Sequence, residues 1–133
     1  MAPKLLVVDD DAALRKVLRM TIGSLCTMLE AADGQEALRV LKAEKPKLML
    51  LDVTMPGMGG IDVLRAAKKI DASLVVLMLT GSTDLDVAKL ALENGALAYI
   101  TKPFEPVALR AEIQRLLGTV ENDKSGRPWR VRA

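Results

Sequence analysis

Residues 48–60 read LMLLDVTMPGMGG. Four consecutive apolar side chains, Leu48 to Leu51, leave no polar face, so the segment suits a strand covered on both sides, as in a parallel sheet. It ends on a carboxylate, Asp52. A strand-end aspartate commonly caps the helix that follows. Here Pro56 with Gly57, Gly59 and Gly60 marks a loop, so no helix follows at once to be capped. The segment reads as a buried strand that delivers one acid into a proline-glycine loop.

The same pattern recurs on both sides of it. Leu5 to Val8, Leu74 to Leu79 and Leu97 to Ile100 are further apolar runs, and Cys26 to Ala31 is a weaker one that reads as an edge strand. Helical stripes alternate with them. Leu14, Val17, Leu18, Thr21 and Ile22 form the first, with Gly23 as its stop. Asp33-Gly34-Gln35-Glu36 opens the second like a capping box, ahead of Ala37, Leu38 and Leu41. Val63, Leu64 and Ala67 mark the third, and the fourth starts at Thr83 with Asp86 and runs to Gly95. Pro106 fits a first helical residue, ahead of Leu109, Ile113, Leu116 and Leu117. Strands alternating with single helices predict an α/β fold: a doubly wound five-stranded parallel sheet with right-handed crossovers and five helices on its two faces. The domain is expected to span residues 1–117. Residues 118–133, GTVENDKSGRPWRVRA, lose the periodicity and read as a polar basic tail or linker without order.

Composition bounds the function. The 133 residues suit one domain. The longest apolar run, Leu74 to Leu79, cannot span a bilayer, so no membrane partner is expected. Met1-Ala2-Pro3-Lys4 leads into no secretory signal, and the expected location is cytoplasmic. A single cysteine, Cys26, excludes an internal disulfide framework. The absence of histidine excludes Ser-His-Asp hydrolysis and imidazole-bound metals. The net charge of +2 lies wholly in residues 118–133, which carry four basic and two acidic side chains. The domain itself is neutral, so no direct nucleic acid binding is expected of it.

Every long apolar run ends, on its C-terminal side, in polar residues. These are Asp9, Asp10 and Asp11 after the first, Asp52 after the third, Thr80 after the fourth, and Thr101 and Lys102 after the fifth. In open parallel sheets the ligand crevice lies outside the carboxyl ends of the strands. Each residue has a bland alternative. Asp11 suits a helix cap, Thr80 is β-branched as strand residues often are, and Lys102 could be a solvated lysine. Together they are better explained as one site. Clustered carboxylates repel unless a cation sits among them. Aspartates without softer ligands select a hard ion, and magnesium (Mg2+) that keeps several waters fits. Magnesium on one or two carboxylates usually accompanies a phosphoryl group, whose remaining oxygens would face the lysine and the hydroxyl.

Through LLVVDDD, LLDVTMPGMGG, LMLTG and AYITKPF, in this order and spacing, the chain from about Lys4 to Leu117 resembles the receiver (CheY-like) domain of two-component response regulators. The resemblance implies a flavodoxin-like sheet of strand order 2-1-3-4-5. It assigns Mg2+ binding to Asp9 and Asp10 with Asp52 and the backbone carbonyl of Thr54, and the phosphoacceptor role to Asp52. The conserved hydroxyl falls on Thr80, the conserved lysine on Lys102, and the aromatic switch on Tyr99. It also implies a cis Lys102-Pro103 bond. Strand 5 then lies two strands from strand 3, about 9.6 Å away, so its contribution should be a long side chain, and lysine is one. One departure is Gly59, where the family usually has a polar residue; the extra glycine loosens the loop. The implied function is a phosphorylation-dependent signalling switch rather than an enzyme acting on a separate substrate. Its partners would be a sensor histidine kinase or histidine phosphotransfer protein, and a downstream protein target or a C-terminal output domain. The signal would leave through the face of the fourth helix, fifth strand and fifth helix.

Two other functions compete. An aspartate-nucleophile phosphatase usually has Asp-x-Asp after its first strand, whereas residue 54 is threonine and there is no cap insertion. An FMN-binding flavodoxin needs a Ser/Thr/Gly phosphate loop after the first strand, where Asp9 to Asp11 would repel the phosphate. A colourless purified protein would close the second possibility.

Overall fold

The structure, a computed structural model, describes residues 2–122, with side chains through residue 118. Its elements alternate strictly: β1 (Lys4–Val8), α1 (Ala12–Ile22), β2 (Thr27–Ala31), α2 (Gly34–Glu44), β3 (Leu48–Leu51), α3 (Gly60–Ile70), β4 (Val75–Thr80), α4 (Leu85–Glu93), β5 (Ala98–Thr101) and α5 (Pro106–Asn122). The five strands form one parallel sheet in the order β2-β1-β3-β4-β5. This is the order the resemblance implies.

The apolar runs are explained by two cores. Leu6, Val8, Met49, Leu51, Val76 and Met78 point to one face, where they meet Leu41 of α2, Val63 and Leu64 of α3, and Ala91 of α4. Their alternates Leu5, Val7, Leu48, Leu50, Val75 and Leu77 point to the other face, against Leu18 and Ile22 of α1 and Ile113 and Leu116 of α5. Consecutive strand residues therefore lie in opposite cores, and no position in β3 can be polar. Each fully buried side chain of this size contributes about 1.5–3 kcal/mol. β2, on the edge, has only Ala31 fully buried, which accounts for its weaker pattern.

Local signals position the helices. Asp11 caps α1, its Oδ1 accepting the N–H groups of Ala13 and Leu14 at 2.9 and 3.2 Å. Asp33 caps α2 by accepting the Glu36 N–H at 2.9 Å, while Glu36 accepts the Ala32 N–H at 2.7 Å. The cap of α4 is Asp84, one residue after the expected Thr83. Gly23 ends α1 with right-handed backbone, so its freedom is not used there. α2 instead stops at Lys45, a non-glycine residue with φ of 52°. α5 runs to Asn122, so 118–122, expected as the start of the linker, are helical. The rest of that segment, 123–133, lies outside the described residues. No helix among the described residues is long and apolar enough to cross a membrane.

Candidate functional site

The carboxyl ends of β1, β3, β4 and β5 converge. Asp9 and Asp52 are buried directly after β1 and β3, Thr80 is the fully buried last residue of β4, and Lys102 follows β5. One carboxylate oxygen from each of Asp9, Asp10 and Asp52 lies within 4.8 Å of the others, with Asp10 alone exposed. The Lys102 ammonium crosses from β5 to reach Asp9 Oδ2 at 2.9 Å and Asp52 Oδ2 at 3.7 Å. The expected long reach is therefore observed. Asp11 caps α1 and stays out of the cluster, as its bland alternative predicted.

The backbone orients these acids. Asp9 Oδ1 accepts the Asp11 N–H at 2.9 Å, and Asp52 Oδ1 accepts the Thr54 N–H at 3.2 Å. Gly60 is dictated by close approach, since a Cβ there would stand 2.2 Å from the Asp52 carbonyl oxygen. Gly59 is not dictated in this way. It has ordinary extended backbone, and its nearest neighbour to a Cβ is 3.9 Å away. The Lys102-Pro103 bond is cis, as the resemblance implies.

Three carboxylates against one ammonium leave a formal charge of −2 in a partly buried crevice. All the donors are oxygens, and the Asp10 carboxylate has no hydrogen-bond partner among the described residues. This donor set fits one hard divalent cation.

Thr80 and Tyr99 meet at one residue. Thr80 Oγ1 accepts the Ser82 N–H at 3.3 Å, and the Tyr99 hydroxyl donates to the Ser82 carbonyl at 3.0 Å. The Tyr99 hydroxyl thus has a protein partner instead of only water. Sequence reasoning missed Ser82, whose part is played by its backbone. It also missed Arg15, whose Nη1 donates to the Asp9 carbonyl at 2.5 Å, and Glu30, which binds Arg15 in turn. Charged residues on a helix and an edge strand look like a solvated surface.

Known proteins share this architecture. The chain is 41% identical over 118 residues to the DNA-binding response regulator MtrA of Mycobacterium tuberculosis, covering 88% of this chain and 51% of MtrA. It is 37% identical over 123 residues to the probable transcriptional regulator ycf27 of Porphyridium aerugineum, covering 92% of this chain and 51% of that protein. The chain thus spans about half the length of these curated relatives. The crystal structure of a CheY-like response regulator receiver domain protein from Methanospirillum hungatei superposes with a TM-score of 0.87 at 31% identity, covering 95% of this chain and 100% of that one. The Vibrio cholerae chemotaxis protein CheY4 superposes with a TM-score of 0.80 at 30% identity, covering 86% of this chain and 98% of that one. The response regulator receiver domain profile matches residues 5–114, and the chain belongs to that family of two-component signalling domains.

Proposed function

We propose that Asp52 is the phosphoacceptor of a signalling switch that takes its phosphoryl group from the phosphohistidine of a sensor histidine kinase or histidine phosphotransfer protein. The observation that carries this reading is the setting of Asp52. It is buried at the end of the central strand, with one oxygen held by Thr54 N–H and the other within 3.7 Å of Lys102 Nζ. An Asp52 oxygen attacks phosphorus, the P–N bond breaks, and the imidazole leaves with the electron pair and takes up a proton. The product is an acyl phosphate on Asp52. These 133 residues contain no histidine, so the donor is another molecule or another part of a longer chain.

Asp9, Asp10 and Asp52, with the Thr54 carbonyl, would hold Mg2+, which when bound supplies neutralising charge at the transferring phosphoryl group. Lys102 moves its ammonium from the carboxylates to phosphoryl oxygens. Thr80 turns its O–H toward another of them. A phosphoryl group carries about −1.5 to −2 charges, so these two donors gain contacts in only one state, which is what a switch requires. Because Thr80 and Tyr99 both hold Ser82, a turn of Thr80 acts on the β4–α4 connection and on Tyr99. The signal then leaves through the face formed by α4, β5 and α5. The domain catalyses only its own phosphorylation and dephosphorylation, and it works in the cytoplasm. Its output is a downstream protein target or, as the DNA-binding and transcriptional relatives suggest, an output domain joined through a linker that follows α5.

Incubation with acetyl phosphate and Mg2+ tests the reading. Mass spectrometry should find one added phosphoryl group, mapped to Asp52, and Asp52→Asn should lose it. Undiminished labelling of that variant at another residue would overturn the assignment.

A further inference from the structure

Asp10 is the exposed member of the acidic trio, and nothing among the described residues hydrogen-bonds its carboxylate. Its position therefore depends on the backbone that carries it. That backbone is held on both sides of Asp9. The Asp9 N–H donates to the Ala31 carbonyl of β2 at 3.1 Å. The Asp9 carbonyl, which forms the peptide bond to Asp10, accepts from Arg15 Nη1 at 2.5 Å. Arg15 is itself anchored, its Nε donating to Glu30 Oε1 at 3.0 Å. The other oxygen of Glu30 accepts from Arg19 Nε at 2.7 Å. Residues 15 and 19 lie one turn apart on α1, so both face Glu30.

We propose that Arg15 is a positioning residue for the metal-binding acids. By holding the peptide plane between Asp9 and Asp10, it sets where the Asp10 carboxylate stands and hence the trio's affinity for a divalent cation. Glu30 serves as its anchor. In this way β2, the strand that ends without a site residue, supports the site through a helix side chain. The proposal rests on the trio being the Mg2+ site.

Two simpler roles predict different outcomes. A plain surface ion pair contributes little to stability and leaves cation affinity alone. A guanidinium acting only by its charge would repel Mg2+, so its removal would tighten binding. Positioning alone predicts that removal weakens binding. Losses of this kind run to about 10–100-fold when a group that orients metal ligands is removed.

The test compares the full chain with Arg15→Gln, Arg15→Lys and Arg19→Gln. Mg2+ affinity is read by isothermal titration calorimetry, and amide order parameters are read in metal-free protein. Arg15→Gln should raise the Mg2+ Kd about tenfold. It should also lower the Asp10 order parameter from about 0.85 toward 0.6 without any metal. Arg15→Lys, which can donate but cannot fork between two acceptors, should fall between wild type and Arg15→Gln. Arg19→Gln shares Glu30 but not Asp9, and should match wild type in both readouts. An unchanged or tighter Kd for Arg15→Gln overturns the proposal, as does an equal loss in Arg19→Gln. If the wild type binds no Mg2+, the metal reading itself fails, and the order parameters still report whether Arg15 holds Asp10.

Discussion

Replacing Lys102 with methionine removes the cation that touches Asp9 and Asp52 while keeping most of its stem. The ammonium stands 2.9 Å from Asp9 Oδ2 and 3.7 Å from Asp52 Oδ2. At an effective dielectric of about 20 these separations correspond to gross attractions of about 6 and about 4 kcal/mol. Desolvation cancels most of that. Breaking a buried pair costs about 3–5 kcal/mol net, and a surface pair about 0–1 kcal/mol. The acids' side chains are 4% and 8% exposed but the lysine's is 24%, so a loss of about 2 kcal/mol is expected between those limits. Urea unfolding at pH 7 without divalent cations reads it, and with m about 2 kcal/mol/M the midpoint should fall by about 1 M. Adding Mg2+ should then stabilise the variant more than the wild type, because no ammonium competes for Asp9 Oδ2. Each tenfold gain in affinity adds about 1.4 kcal/mol at saturating metal. A variant as stable as wild type in metal-free buffer would refute the reasoning, and so would a magnesium gain no larger than the wild type's.

Gly60→Ala should cost about 1–3 kcal/mol and reduce acetyl phosphate labelling of Asp52, since its Cβ would press on the Asp52 carbonyl at 2.2 Å; thermal melts and mass spectrometry check this. Gly59→Ser should instead raise stability by up to about 1 kcal/mol in urea unfolding, because α3 lacks a side-chain cap and the position is open. Thr80→Ala should still accept phosphate on Asp52. In amide NMR with beryllofluoride as phosphoryl mimic, its shift changes should stay in the site loops and fail to reach Tyr99 and α4. Burial raises the Cys26 thiol above its ordinary value of 9.0. The unfolded chain therefore loses that proton first, and stability should fall as pH rises past about 9. Cys26→Ala should remove that part of the slope in urea midpoints compared at pH 8 and 10.

The fold was legible because a doubly covered sheet imposes an unusual demand. Leu48 to Leu51 must be apolar at every position, and turn residues punctuate each such run. The acids were legible by elimination: Asp11 could satisfy the cap of α1, which left Asp9 and Asp10 unexplained, and Asp52 had no helix start beside it. Arg15, Arg19 and Glu30 were not legible. Charges one turn apart on a helix look the same whether they face water or a neighbouring strand, and only the register of β2 against β1 brings Glu30 beneath α1. Ser82 meets Thr80 and Tyr99 through its backbone N–H and carbonyl, which leave no mark in side-chain identity. The end of α5 was misplaced because its apolar stripe was read as ending at Leu117, whereas Val120 continues the same spacing and the helix runs on to Asn122.

Lys102 is carried by a rim strand. Among the described residues β5 pairs only with β4, and the residues of β5 itself are at most half-buried. The ammonium that balances the central acids therefore moves with the sheet's margin rather than its middle. Thermodynamic reciprocity follows from this. If a molecule gripping β5 shifts Lys102, it changes the affinity of beryllofluoride at Asp52 by some factor. Beryllofluoride must then change the affinity of that molecule by the same factor. A partner that never approaches Asp52 can thus be measured by what it does there.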